Sequence, residues 1–196
     1  MTDSDAQMMV RFQNGDEGAF NYLVEKFHPQ VINIIYRFVG HVRDAEDIAQ
    51  DAFVRVYTSA PKYTPTAKFS TWLYRIVANL CLNYRRDSQR HKNLSLDDET
   101  SDGHSHASML ASESGSGPVE NLERQETQAA VLAAINALPE NQRLAVILDR
   151  YQALSQREIG EVLGVSERAV KSLMARAREN LRQSLAGFVE DRHRES

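Results

Sequence analysis

The chain has 196 residues, room for one large or two small domains, and its 42% apolar content is that of a globular protein, which excludes wholesale disorder. A single cysteine, Cys81, excludes an internal disulfide and, lying in an apolar helical pattern, reads as a buried thiol in a reducing compartment. The N-terminus lacks a basic segment followed by an apolar one, and no apolar run approaches the ~20 residues of a membrane span, so the expectation is a cytoplasmic protein with no direct membrane insertion. The net charge of −4 excludes a protein that binds nucleic acid by bulk charge alone. Its distribution is uneven: residues 61–95 carry a net +6 and 166–196 a net +2, and the acidic stretch 96–128 between them carries −7.

Strand signals are nearly absent, and helical periodicity recurs along the chain. Asn14-Gly15-Asp16 breaks the chain and offers a cap to a helix whose buried stripe is Phe20, Leu23, Val24, Phe27, Val31, Ile34, Ile35 and Phe38. Pro29 predicts a bend or a new first turn within it, and Gly40-His41 ends it. Asp44 is the expected cap of the next helix, DAEDIAQDAFVRVYTS. There Ala45, Ile48, Ala52 and Val56 form a core stripe, and Asp47, Gln50, Asp51 and Val54 a second stripe on another face. That acidic stripe is either a solvated face or a docking surface for a basic partner.

After a loop bracketed by Pro61 and Pro65, a long helix is expected from about Phe69 to Arg86 or slightly beyond. Phe69, Leu73, Ile76, Val77, Leu80 and Tyr84 share its core side, with Arg75, Asn79, Leu82 and Arg86 largely opposite and Arg85 nearby. Basic residues (Lys62, Lys68, Arg75, Arg85, Arg86, Arg90, Lys92) flank Tyr63, Trp72, Tyr74 and Tyr84. Charge for phosphates beside rings for unstacked bases is the composition of a single-stranded nucleic-acid surface, although Trp72 and Tyr84 also suit a core. The first domain is expected at residues 5–92. Residues 93–119, rich in Ser, Gly and acid, read as a flexible acidic linker.

Helical pattern returns at Glu120, and Leu138-Pro139 opens a further helix, ENQRLAVILDRY. Ser155 with Glu158 is a capping box, Gly164 suits a left-handed helix end, and Ser166 can cap the next helix after a three-residue turn. In that last helix Val170, Met174, Ala177 and Leu181 gather on one side. Arg168, Ser172, Ala175 and Arg176 gather opposite, with Lys171 on the flank. A reading helix held by its back on a small core has this form, so residues 120–190 are expected to be a helix-turn-helix domain with a frayed charged tail.

Three segments together resemble one family. DAEDIAQDAFVRVY (44–57), FSTWLYRIVANLCLNYRRD (69–87) and the run from Leu138 to Asn180 are similar, in order and spacing, to the polymerase-docking, −10-reading and −35-reading elements of bacterial RNA polymerase sigma factors of the extracytoplasmic-function group, within the sigma-70 family. The resemblance implies an all-α fold of two small helical domains, sigma regions 2 and 4, joined by the acidic linker. It implies binding to core RNA polymerase through the β′ clamp helices and the β flap, promoter DNA as a second partner, a cognate anti-sigma factor as a third, and no cofactor. Asp47, Gln50, Asp51 and Val54 would dock on the polymerase. The loop Tyr63–Ser70 would receive a flipped base of the −10 element, with Lys68, Arg75, Asn79, Arg85 and Arg86 contacting DNA and Trp72 holding the loop. Arg168, Lys171, Ser172 and Arg176 would read the −35 element. Leu173 stands where related sigma factors often carry Arg, which suggests a different −35 preference.

Other readings predict different behaviour. An autonomous helix-turn-helix regulator would bind duplex DNA tightly without polymerase, usually at a two-fold operator, and a pure adaptor would need neither basic surface. The acidic balance disfavours the first and the two separate basic surfaces the second. No P-loop, dinucleotide-binding, HExxH or CxxC pattern points to catalysis. His104 and His106 are too few for a metal site.

Overall fold

The computed structural model describes residues 3–94 and 118–195, which form eight α-helices with no strand among the described residues. The first four are α1 (Ser4–Gln13), α2 (Glu17–Val39), α3 (Val42–Ser59) and, after a 3₁₀ turn at Ala60–Lys62, α4 (Phe69–Leu94). The second group is α5 (Pro118–Ala137), α6 (Glu140–Gln152), α7 (Gln156–Leu163) and α8 (Glu167–Glu195). Most of the predicted linker, with His104 and His106, lies outside the described residues.

Local chemistry explains most helix ends. Asp16 caps α2 by accepting from the Ala19 N–H at 3.2 Å. Of the bend or new first turn expected at Pro29, the new turn does not occur: α2 runs through Pro29 as one helix. Nor does Asp44 cap α3. The cap position is His41, three residues earlier, and the Asp44 carboxylate instead accepts from the Tyr84 hydroxyl at 2.7 Å. The capping box of α7 forms on both sides: the Glu158 N–H donates to Ser155 Oγ at 3.3 Å and the Ser155 N–H to Glu158 Oε2 at 2.9 Å. Gly164 ends α7 with φ 68°, and Ser166 Oγ accepts from the Ala169 N–H at 3.2 Å. The segment expected to fray continues α8 to Glu195.

The apolar stripes meet as the periodicity predicts. Leu23, Val31, Ile34, Ile35 and Phe38 of α2 pack with Ala45, Ala49, Ala52 and Val56 of α3 and with Phe69, Leu73 and Val77 of α4. Each such large side chain contributes ~1.5–3 kcal/mol of burial free energy. Phe20 and Val24 of the same predicted stripe are only partly buried. Ile159 and Val162 of α7 pack with Val170 and Met174 of α8 and with Leu144, Ile147 and Leu148 of α6.

The two domains are not apart. Their apolar clusters merge into one, with α6 against α2 and α7 against α4. Arg143 of α6 is 2% exposed and donates from Nη1 to the carbonyl of Phe38, in the last turn of α2, at 2.9 Å. The Arg37 guanidinium lies 3.5 Å from the Tyr151 ring centroid, and the Tyr74 hydroxyl donates to Gln152 Oε1 at 3.0 Å.

Candidate nucleic-acid interface

Three surfaces carry the predicted site residues. On the first domain, α2 and α3 leave an open groove of about 770 Å³ lined by Phe20, Asn21, Val24 and His28 from α2 and Glu46, Asp47, Gln50, Phe53, Val54 and Tyr57 from α3. Asp47, Gln50 and Val54 of the predicted stripe lie here; Asp51 is exposed on α3 but does not line it. Val54 is 55% and Tyr57 46% exposed, so the groove offers apolar surface edged by carboxylates. Phe20, Val24 and Tyr57 are absent from the predicted set. The signal for the first two was present but read as core: their i, i+4 spacing belongs to the α2 stripe, and only packing reveals that this end of it is half open.

The second surface is a cavity of about 330 Å³ at the start of α4, lined by Tyr63, Thr64, Thr66, Ala67, Thr71, Trp72 and Arg75 and closed on its other side by Gly160, Glu161 and Gly164 of the helix-turn-helix. Arg75 and Asn79 are exposed one turn apart, Ser70 is half-buried, and Arg86 is exposed beside Asp87. Arg85 is half-buried, and its Nε is buried without a hydrogen-bond partner. Trp72 packs edge-on against Tyr63 at 4.8 Å between centroids, which ties the start of the loop to the helix.

Here the structure departs from the expected stacking platform. Tyr63 and Tyr74 are each only 5% exposed, and burial pushes their hydroxyls up to about 12. Tyr84 is tied to Asp44, with its hydroxyl likewise pushed up to about 12, first by burial and then by that bond. The Tyr63 and Tyr74 rings are thus buried, and Tyr84 is half-buried. Burial also pushes the Cys81 thiol up to about 12, which leaves it inert.

Lys68 reaches out of the loop to Glu158 of α7 at 2.6 Å. The Lys68 amine, with two bonds from Ser155, holds the Glu158 carboxyl down at about 2, and the carboxylate raises the Lys68 amine in turn. A cation predicted to meet DNA is thus held by the other domain.

The third surface is the outer face of α8. Arg168, Lys171, Ser172 and Arg176 are all exposed, while Val170, Met174 and Ala177 are buried behind them. Lys171 pairs with Glu167 one turn back at 3.0 Å, an exposed contact that a phosphate can displace. Leu173 is half-buried at the edge of this face.

Comparison with known proteins assigns the two domains. Residues 23–91 match the Sigma-70 region 2 model and residues 128–181 the Sigma-70 region 4 model. The chain is 33% identical over 184 residues to the ECF RNA polymerase sigma factor SigW of Bacillus subtilis (strain 168), covering 91% of this chain and 98% of that protein. Its fold is similar to that of CnrH in complex with the cytosolic domain of CnrY (TM-score 0.68, 24% identity, 94% and 99% coverage). It is also similar to the sigma factor RpoE in complex with the anti-sigma factor NepR from Bartonella quintana (TM-score 0.65, 20% identity, 85% and 96% coverage). The chain belongs to the sigma-70 family, as an RNA polymerase sigma factor of the ECF group.

Proposed function

We propose that the α2–α3 groove is the core-polymerase docking surface, that the cavity at the start of α4 receives a flipped base of the −10 element, and that the exposed face of α8 reads the −35 element. The observation that carries this reading is the groove. Within the region 2 match, Asp47, Gln50 and Val54 line an open apolar channel suited to helices rich in basic and apolar side chains, such as the β′ clamp helices. The β flap is the expected partner of the second domain. The protein acts in the cytoplasm by binding energy and not by covalent chemistry. Flipping a base out of the stack costs a few kcal/mol, which pocket contacts offset. A cognate anti-sigma factor, of the kind seen with RpoE, would cover the same groove.

The test is reconstitution with core polymerase on a promoter library. Promoter-specific transcripts and open-complex footprints are expected only when both proteins are present. Asp47→Lys is expected to abolish polymerase binding while leaving the thermal midpoint unchanged, because Asp47 is exposed and its substitution removes no core contact. Normal polymerase binding by that variant, or sequence-specific duplex binding and regulation without polymerase, would overturn the assignment.

A further inference from the structure

Thr64, Thr66 and Ala67 of the five exposed residues 64–68, between Tyr63 and Phe69, form one wall of the cavity at the start of α4. A loop this short and exposed has little packing to fix its shape, yet a pocket that discriminates bases needs a fixed shape. Besides the Trp72 and Glu158 contacts, both of its ends are hydrogen-bonded from α1.

Gln13, the last residue of α1, donates from its single amide nitrogen to the carbonyl of Ala60 at 2.7 Å and to the carbonyl of Tyr63 at 2.9 Å. Both protons of one side chain thereby span the 3₁₀ turn that leads into the loop. Asp3, which caps α1 by accepting from the Asp5 N–H at 3.2 Å, uses its other oxygen to accept from the Phe69 N–H at 2.7 Å. One carboxylate therefore caps two helices, α1 and α4, and fixes the loop's exit. Asp3 also lies near enough to Tyr63 to raise its hydroxyl further.

The base of this brace is rigid. Met9 is fully buried, Phe12 stacks on Phe20 at 4.8 Å and meets Tyr57 at 5.1 Å, and Asp5 pairs with Lys26 of α2 at 2.5 Å. The two bracing residues lie at opposite ends of a ten-residue helix and grip opposite ends of the loop. α1 therefore sets the distance between them.

We propose that Asp3 and Gln13 are positioning residues for −10 recognition: acting from α1, none of whose residues lines the cavity, they fix the loop that discriminates the flipped base. This rests on the reading of the cavity as the −10 pocket. The test uses holoenzyme reconstituted from the full chain and core polymerase, on four promoters that differ only in the base presented to the pocket. Gln13→Leu and Asp3→Ala are expected to shrink the spread of open-complex formation across the four bases about tenfold, the size of one or two lost hydrogen bonds. Core-polymerase affinity should stay within about twofold, since a loop adjustment leaves the α2–α3 groove in place. Gln13→Lys, which keeps a donor, and Asp3→Asn, which keeps an acceptor, should restore most of the spread.

Amide hydrogen exchange on the free protein is the second readout: the amides of Thr64, Thr66, Ala67 and Lys68 should exchange faster in Gln13→Leu than in the parent. Unchanged exchange, or a loss of activity equal on all four promoters with the ranking intact, overturns the brace. Parent holoenzyme that fails to discriminate the four bases while exchange still responds to Gln13→Leu would instead sink the pocket assignment and leave the mechanical brace standing.

Discussion

At Gly160 the helix-turn-helix depends on a missing atom. A β-carbon there would lie 2.7 Å from the carbonyl oxygen of Val165, which belongs to the turn between α7 and α8. The Val165 N–H donates back to the Gly160 carbonyl at 2.9 Å, so the turn is already pulled onto this spot and has no room to yield. Gly160→Ala is expected to destabilise the fold by about 1–3 kcal/mol, readable as a lower denaturant midpoint at constant slope. A variant as stable as the parent would mean that the turn is free to shift. At this scale the sequence was a good guide to faces and a poor one to depth. Projection of α4 separated Phe69, Leu73 and Val77 from Arg75 and Asn79, and the structure keeps that division. It could not tell that Tyr63 and Tyr74 are buried. Tyr63 is covered by Phe69 and Trp72, and Tyr74 bonds to Gln152, contacts set by packing and not by local periodicity.

Helices were legible where their caps are local and misread where a distant residue intervenes. The α7 box needs only Ser155 and Glu158, and both its bonds form. Asp44 was the natural cap of α3, but Tyr84, forty positions away, takes its carboxylate. The apolar pattern of α1, Ala6, Met9 and Phe12, is too short to announce a helix by periodicity. The capping box of α7 also makes a pH prediction. Glu158 is lowered from its ordinary value of 4.5 to about 2, first by Lys68 and then by Ser155. A carboxylate depressed by folding contributes stability that is complete above its unfolded value and lost as pH falls through the folded one. Lys68, raised above 10.5, contributes fully below that value and loses its share as pH rises through its folded one. The contact of α7 with the α4 loop should therefore hold from about pH 4.5 to 10.5 and weaken between pH 4.5 and 2. Glu158→Gln should flatten the acid limb in a pH series of unfolding midpoints. An unaltered acid limb would remove Glu158 from the account.

On the scale of the whole molecule, the sequence described two arms and the structure folds them together. Nothing in either domain's periodicity announced this, because the residues that join them are spread across four helices. Arg37 of α2 is 7% exposed, held at Nε by Asn33 at 2.5 Å, and stacked 3.5 Å from the Tyr151 ring of α6. Neither residue belongs to the groove, the cavity or the outer face of α8, so their pairing reports on domain closure alone. A cation over an aromatic face is worth ~0.5–1 kcal/mol when exposed and ~2 kcal/mol when desolvated, and this pair is largely desolvated. A double-mutant cycle of Arg37→Ala and Tyr151→Ala should therefore return a coupling energy of about 1–2 kcal/mol in denaturant unfolding. Gly160, Glu161 and Gly164 form one wall of the cavity, so movement of the second domain away from α4 would widen it. Loss of about 1.4 kcal/mol from the closed state raises the open population about tenfold. The double variant should accordingly show a larger radius of gyration by small-angle scattering and bind a single-stranded −10 oligonucleotide faster than the parent. A coupling near zero with unchanged dimensions would mean that closure rests on the other contacts between the domains, α6 with α2 and α7 with α4.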